Sequence, residues 1–211
     1  MNDVVPEAPT GRLAQRKLKT RAALVAAGQQ LLSEGRPDVA VSVITELADV
    51  GLGSFYNHFA TKEELFVAAT EAAAQEIVAG LDALTTEVTD PVERFATSLR
   101  LIGRMHRRFP QLSAILLRTG TAMLSTTGEF MRSPRRDIEQ AVEAGRFTVA
   151  DPELALAATA GSILMLGQLL VDDPERDDEA SADELARSML VMLGIDPDEA
   201  ARVSTLPLPA H

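Results

Sequence analysis

One short stretch of the sequence, residues 40–65, most constrains the fold. Apolar residues over Val41–Ala48 follow the spacing of a helix, and the pattern then breaks at residues 49–51, where only a tight turn fits. Phe55 and Phe59 lie four residues apart, which places both on one face of a second short helix. Two helices joined by such a turn have the geometry of a helix-turn-helix, whose second helix enters the major groove of DNA.

The composition is that of a globular chain without cysteine. Its 211 residues are 46% apolar, enough to bury a core in one or two domains. The lack of cysteine excludes a disulfide framework, a thiolate metal site and a cysteine nucleophile. Residues 1–11 do not resemble a secretory signal, so a cytoplasmic location is expected. Residues 154–171 are apolar but lack aromatic anchors, which favours a buried or subunit-interface helix over a membrane span.

The charge of the chain is divided unevenly, although its formal net value is −11. Residues 11–36 hold six basic side chains against one acidic, whereas residues 63–211 hold 13 basic against 25 acidic side chains. An acidic body repels DNA, so only the N-terminal part is expected to approach phosphates. Taken alone, the basic cluster is also compatible with an ordinary solvated surface.

Capping signals predict where several helices begin. A first helix is expected over residues 13–34, with Leu24 and Leu31 on its inner face. Thr61 and Glu64 have the spacing of a capping box and predict a fourth helix after the pair described above. Asp caps a helix and Pro fits its first turn, so an Asp-Pro pair predicts a helix start. Such pairs are Asp90-Pro91, Asp151-Pro152 and Asp196-Pro197.

The remaining segments complete an all-α prediction. Ser181 and Glu184 form a further capping-box pattern ahead of a helix over residues 185–193, and residues 172–183 are predicted to be an acidic loop. Small residues in the helix that follows Asp151 would let another helix approach closely, within the monomer or in a partner. No alternating strand pattern competes with these helices anywhere in the sequence.

The helix predicted from Pro91 to Phe109 has two faces. Its apolar face includes His106, which is either a histidine satisfied within the core or a contact to a ligand. Its other face is expected to be solvated surface and carries Arg100, Arg104, Arg107 and Arg108.

The segment ITELADVGLGSFYNHFATKEELF is similar to the signature of the tetracycline-repressor (TetR) family of bacterial transcriptional regulators. The resemblance extends from about Thr20 to about Leu65. It implies that Tyr56, His58 and Lys62 grip DNA phosphates. It also implies that base-reading positions are Leu52, Gly53, Ser54 and Asn57, and that Ser42 touches DNA as in some family members. The chemistry agrees, since a phenol, an imidazole and an ammonium can each donate to a phosphate oxygen.

Three positions depart from the family pattern. Asp49 stands where glycine is common in the turn, and Asp tolerates the left-handed conformation required there. Gly51 stands where serine commonly caps the recognition helix, and glycine is an acceptable cap. Ala40 stands where threonine or serine often caps the preceding helix.

The residues and the resemblance together imply a domain organisation and a set of partners. We expect a disordered lead, a three-helix DNA-binding domain, a larger helical domain for effector binding and dimerisation, and an extended tail. The lead is residues 1–10 and the DNA-binding domain is residues 11–60. The effector-binding and dimerisation domain is residues 61–204, and the tail is residues 205–211. The implied partners are a double-stranded DNA operator, a second copy of the chain as a homodimer and an unidentified small-molecule effector, with no membrane.

The function expected from these features is that of a ligand-responsive DNA-binding regulator, with repression as the family habit. An enzyme is disfavoured because three histidines, no cysteine, no Gly-rich phosphate loop and no metal-spaced ligand set leave no catalytic, cofactor or metal site to predict. A helical adaptor that binds proteins through the acidic body, without sequence-specific DNA binding, is the alternative.

Overall fold

The computed structural model describes residues 11–124 and 131–209, and within those ranges the secondary structure is α-helical with no β-strand. The all-α prediction is therefore confirmed. The helices are α1 (Arg12–Ser33), α2 (Val41–Leu47), α3 (Leu52–Tyr56), α4 (Lys62–Thr85), α5 (Pro91–Arg108), α6 (Pro110–Leu124), α7 (Arg132–Glu143), α8 (Pro152–Asp172), α9 (Asp178–Met192) and α10 (Pro197–Val203). The predicted lead at residues 1–10 and the last two residues of the predicted tail lie outside the described residues.

The Asp-Pro pairs begin helices as predicted. The carboxylate of Asp90 accepts hydrogen bonds from the backbone N–H groups of Val92 and Glu93 at 2.9 and 3.0 Å. Asp151 and Asp196 make equivalent bonds at the starts of α8 and α10. These bonds satisfy donors that the first turn of a helix leaves unpaired, and each cap stabilises the fold by about 1 kcal/mol.

The start of α9 differs from the prediction. Asp177 rather than Ser181 caps the helix, and its carboxylate accepts a hydrogen bond from the N–H of Ala180 at 2.9 Å. Part of the stretch predicted to be an acidic loop is therefore helical. The physical reason is that Asp178 and Glu179 occupy the first turn, where the positive end of the helix dipole stabilises carboxylates.

The chain divides into two compact units, and the boundary falls after Thr70, inside α4. The first unit holds α1, α2, α3 and the first turns of α4. Its most deeply buried side chains, each at most 1% exposed, are Leu24, Leu31, Ile44, Phe55 and Leu65. The predicted inner face of the first helix is thus confirmed. Gly28 of α1 permits close packing, since a Cβ there would lie 3.0 Å from the Cβ of Ala69.

In the second unit α5 packs against α6, α7, α8 and α9. Two glycines make these contacts close. A Cβ on Gly103 would lie 2.6 Å from the Cβ of Ala182, and one on Gly167 would lie 2.3 Å from the Cε1 atom of His106. At Gly167, therefore, the lack of a side chain in α8 serves packing within the chain.

The arginine face of α5 is partly buried, so the expectation of a solvated surface is wrong there. Arg100 is 5% exposed; its Nε donates to Asp183 at 2.8 Å and its Nη1 donates to the carbonyl of Leu206 at 2.6 Å. Arg104 donates to the same carboxylate at 2.8 Å. A buried guanidinium requires a charged partner, and Asp183 on α9 supplies it.

The α8 helix is the one helix of the described residues that is long and apolar enough to cross a membrane, by length and composition alone. Of its most apolar stretch, 39% is buried inside the protein. Its inner face contributes Ile163 and Leu170 to the core, while Met165 is 59% exposed and Leu169 is 47% exposed. One face of α8 therefore belongs to the core and another presents apolar side chains outward.

Candidate functional site

The predicted turn between two short helices is present in the first unit. α2 ends at Leu47, and Asp49 takes a left-handed conformation with φ of 53°, as predicted for this position. Gly51 is the extended N-cap residue of α3, and Ala40 has the same role for α2. Neither has a side chain that could cap, so the turn is held by backbone bonds such as that from the N–H of Val50 to the carbonyl of Thr45 at 2.9 Å.

The aromatic residues of this segment separate an inner from an outer face. Phe55 is fully buried and Phe59 is 5% exposed, as the spacing predicted. Tyr56 packs edge-on against Phe55, with ring centroids 5.3 Å apart, yet remains 57% exposed. The α3 helix is thereby anchored through one face, and its other face is free to meet a ligand as large as DNA.

All the predicted DNA contacts are at least partly exposed. Exposed residues are Ser42, Leu52, Gly53, Tyr56 and Asn57, and those of intermediate exposure are Ser54, His58 and Lys62. The Nζ atom of Lys62 lies 3.4 Å from the carbonyl oxygen of Val39 and 4.0 Å from the carboxylate of Asp38. The lysine therefore touches the loop before α2 while keeping 28% of its side chain accessible.

The start of α4 shows the predicted capping pair. The Oγ1 atom of Thr61 accepts a hydrogen bond from the N–H of Glu64 at 3.2 Å, and the Glu64 carboxylate accepts one from the N–H of Ala60 at 2.8 Å. Glu63 and Glu64 lie in the first turn, where the helix dipole stabilises them.

The second unit contains a cavity of about 80 Å³. It lies among α4, α5, α6, α7 and α8, and most of its lining is apolar. Representative apolar lining residues are Val78, Leu99, Ile102, Leu116, Leu156 and Ile163. The polar side chains of the lining are Asp82, Thr85, Ser98, Ser133, Asp137 and Thr159. An apolar space with a few polar groups is the usual form of a small-molecule site.

Two carboxylates mark the polar part of the cavity. Ser133 donates a hydrogen bond to Asp82 at 3.0 Å, which links α7 to α4. Asp137, one helical turn after Ser133, is 2% exposed and accepts a hydrogen bond from the Nε atom of Arg94 at 2.8 Å. Arg136 also donates to Asp137, at 3.2 Å. Asp137 is thus neutralised by two arginines, whereas the hydrogen bond to Asp82 comes from a neutral hydroxyl.

His106 is buried beside this cavity but is not part of its lining. Its Nδ1 atom lies 2.8 Å from the Oγ atom of Ser113, and its Nε2 atom has no hydrogen-bond partner among the described residues. Burial lowers the pKa of His106 to about 4. The backbone carbonyl of Ile163 opposes this shift, but it is not close or aligned enough to accept a hydrogen bond from Nε2. The ring is therefore neutral at physiological pH, and its role as a ligand contact stays a prediction.

The cavity residues were not identified from sequence, and no local pattern marks them. Asp82 and Ser133 are 51 positions apart, and Arg94 and Asp137 are 43 apart. Tertiary packing brings such residues together, α4 with α7 in the first pair and α5 with α7 in the second. Among the residues described, no cluster of His, Asp and Glu suited to hold a metal occurs.

Comparison with known proteins defines the family. The tetracyclin repressor-like C-terminal domain matches residues 90–205. No curated protein matches the sequence significantly. The structure of RolR in complex with resorcinol is 32% identical and covers 93% of this chain and 98% of its own, with a TM-score of 0.65. A TetR-family regulator from Shewanella sp. PV-4 is 17% identical, covers 84% of this chain and 99% of its own, and shares the fold with a TM-score of 0.69. The chain therefore belongs to the TetR family of transcriptional regulators.

Proposed function

We propose that this protein is a cytoplasmic repressor that binds an operator in double-stranded DNA and releases it when a small molecule enters the cavity. The observation that carries the proposal is the course of α4. Its first turns pack in the first unit through Leu65 and Ala69. Its last turns line the cavity with Val78, Leu81, Asp82 and Thr85. A ligand that shifts the end of α4 therefore acts on a helix that begins in the first unit. Because the first unit carries the proposed DNA contacts, we call it the DNA-facing unit.

The proposed DNA contacts follow from the family resemblance, and the chemistry and exposure of these side chains support them. Phosphates are bound by Tyr56, His58 and Lys62, with Ser42 as an additional contact, and bases are met by Leu52, Gly53, Ser54 and Asn57. Of the base-facing set, Asn57 has the amide that can pair bidentately with adenine, whereas Leu52 can contact only a thymine methyl group. For nearly complete release, the effector must favour the free state by about 5.5 kcal/mol over the DNA-bound state.

Two copies of the chain are needed to read two half-sites, and α8 and α9 offer a surface for pairing them. Met165 and Leu169 on α8, and Val191 and Met192 on α9, are 38–59% exposed. Apolar side chains of this size are stabilised by burial in a partner. A two-fold dimer would hold its recognition helices roughly 34 Å apart, the repeat of the major groove.

Introducing a charge on this surface is expected to separate the copies. In Met165→Glu an unpaired carboxylate would enter the apolar interface, and the dimer dissociation constant should rise about tenfold or more. Sedimentation equilibrium measures this constant directly. Val67→Glu is the matched control, since Val67 is 58% exposed on α4, outside the surface. Equal dissociation constants for the two variants would contradict an interface at α8 and α9.

The size and polarity of the cavity favour a small hydroxylated aromatic effector. A cavity of this size, about 80 Å³, favours a compact ligand over a large one. The Asp82 carboxylate accepts only one described side-chain hydrogen bond, from Ser133, and can accept another from a ligand hydroxyl. The similarity to RolR, whose structure contains resorcinol, supports the same class.

Titration with resorcinol tests the proposal in two steps. Calorimetry should show binding to the free protein, and a gel shift with DNA from upstream of its own gene should show release of the protein as resorcinol is added. Asp82→Asn should weaken resorcinol binding by about 1.5–3 kcal/mol, or about 10- to 150-fold, because a charged acceptor becomes neutral. Glu76→Gln is the control, since Glu76 is on α4 but does not line the cavity.

The two steps separate the parts of the proposal. A sequence-dependent, salt-sensitive shift that resorcinol does not reverse would retain DNA binding and reject the effector class. A protein that shows no such shift would instead support the adaptor alternative. Loss of resorcinol affinity in the control variant as well would place the ligand outside the cavity.

A further inference from the structure

A cluster of three basic groups lies in the first unit beside the predicted DNA contacts. Lys17 and Arg21 are exposed and one helical turn apart on α1, so they share a face of that helix. The guanidinium of Arg21 lies 5.3 Å from the centre of the Phe59 ring. This cation–π contact holds Arg21 against the segment that follows α3 and contains His58.

The charges of this cluster act on His58. Partial burial, followed by the positive charges of Lys17 and then Arg21, holds the pKa of His58 below its ordinary value. Lys17 and Arg21 are the charged side chains of the described residues that shift it. The imidazole is therefore predominantly neutral at neutral pH, next to two fixed cations that form no ion pair with a carboxylate of the described residues.

We propose that Lys17, Arg21 and His58 form one phosphate-binding site of the DNA-facing unit, and that His58 takes up a proton from solvent when DNA occupies it. The proposal rests on the proposed DNA-binding function. It adds α1 to the DNA interface and makes the affinity for DNA depend on pH.

The physical reason is the sign of the charge that DNA brings. Three donors around one phosphate oxygen are stabilised by its negative charge, and the same charge offsets the repulsion between the imidazolium and its two neighbours. Because protonated His58 binds phosphate better than neutral His58, proton uptake and DNA binding favour each other. The affinity for DNA therefore rises as pH falls, by at most about tenfold per pH unit for each DNA-bound copy of the chain.

The pH dependence can be measured without knowing the operator, because phosphate contacts do not depend on sequence. The experiment uses the full chain and a fluorescently labelled duplex of about 30 base pairs. Anisotropy titrations at low salt from about pH 5.5 to about pH 8 span the range in which histidine titrates. The buried His106, with its pKa lowered to about 4, stays neutral across most of this range.

Two substitutions of His58 are expected to remove the pH dependence in opposite ways. At every pH, His58→Gln should bind DNA as weakly as the wild type does at high pH. His58→Lys carries a fixed positive charge. At every pH, it should bind DNA as tightly as the wild type does at low pH. His211→Gln, at the end of the chain, is the matched histidine control and should keep the wild-type slope.

The α1 members are tested through salt dependence. Lys17→Ala and Arg21→Ala should each reduce the slope of log affinity against log salt concentration by about one for each copy of the chain. Each substitution should also reduce the pH dependence of DNA binding. Arg36→Ala is the control, because Arg36 follows the other end of α1 and pairs with Glu34. Unchanged salt slopes for Lys17→Ala and Arg21→Ala would remove α1 from the site.

The outcomes distinguish this inference from the function on which it rests. Absence of DNA binding at every pH would reject both. DNA binding with a pH slope that persists in His58→Gln and His58→Lys would retain the function and overturn the proton uptake.

Discussion

Asn57→Ala is expected to weaken operator binding by about 1–3 kcal/mol for each half-site, and therefore by roughly twice that for a dimer that reads both. The amide of Asn57 is exposed next to the buried anchor Phe55, so its loss does not open the core of the first unit. A bidentate pair with adenine would be lost, and preference at one base position of each half-site should relax. Competition titrations against single-base variants of the operator measure both effects.

The control for Asn57→Ala removes an amide from a position without a proposed contact. Gln75 is exposed on α4 in the second unit, and Gln75→Ala should leave operator affinity unchanged. Selection from random duplexes gives an independent readout, since the variant should return a consensus degenerate at one position. Recovery of the wild-type consensus would show that Asn57 does not read a base.

Acidification is expected to destabilise the second unit through His106, by about 3 kcal/mol between pH 6.5 and about pH 4. The unfolded chain binds a proton on this histidine near pH 6.5, whereas the folded chain excludes the proton until about pH 4. Stability from the neutral buried ring is thus fully present above the unfolded pKa and is lost as pH falls through this window. Urea unfolding at about pH 7 and about pH 4.5 measures the loss.

His106→Phe isolates this contribution. Phenylalanine keeps a planar ring in the space that Gly167 leaves open, but it cannot titrate and it leaves Ser113 without its partner. The variant should start less stable at neutral pH and lose less stability on acidification than the wild type. An equal loss in both proteins would assign the acid sensitivity to other groups.

The DNA-facing unit was predictable because its determinants are local. The turn at Asp49, the inward Phe55 and the capping pair of Thr61 and Glu64 each depend on residues within one or two helical turns. Helix starts at Asp-Pro pairs were predictable for the same reason. The start of α9 was placed wrongly because several acidic residues in succession can each act as a cap, and sequence alone does not rank them.

The cavity could not be predicted because its residues meet only through tertiary packing. The face of α5 that carries Arg100 was expected to be solvated, and only the position of Asp183 on α9 explains its burial. Likewise, the orientation of His106 depends on Ser113 in α6 and on Gly167 in α8. Periodicity assigns a residue to a helix face, but it does not state which neighbour will cover that face.

The division of the chain after Thr70 has a consequence for how such regulators diversify. Every proposed DNA contact precedes this boundary and every cavity residue follows it. On the proposed function, a change at Ala160 or Leu164 alters which inducer a gene duplicate binds without altering the promoter that it recognises. Conversely, a new promoter preference can arise at Asn57 without altering which metabolite the duplicate senses.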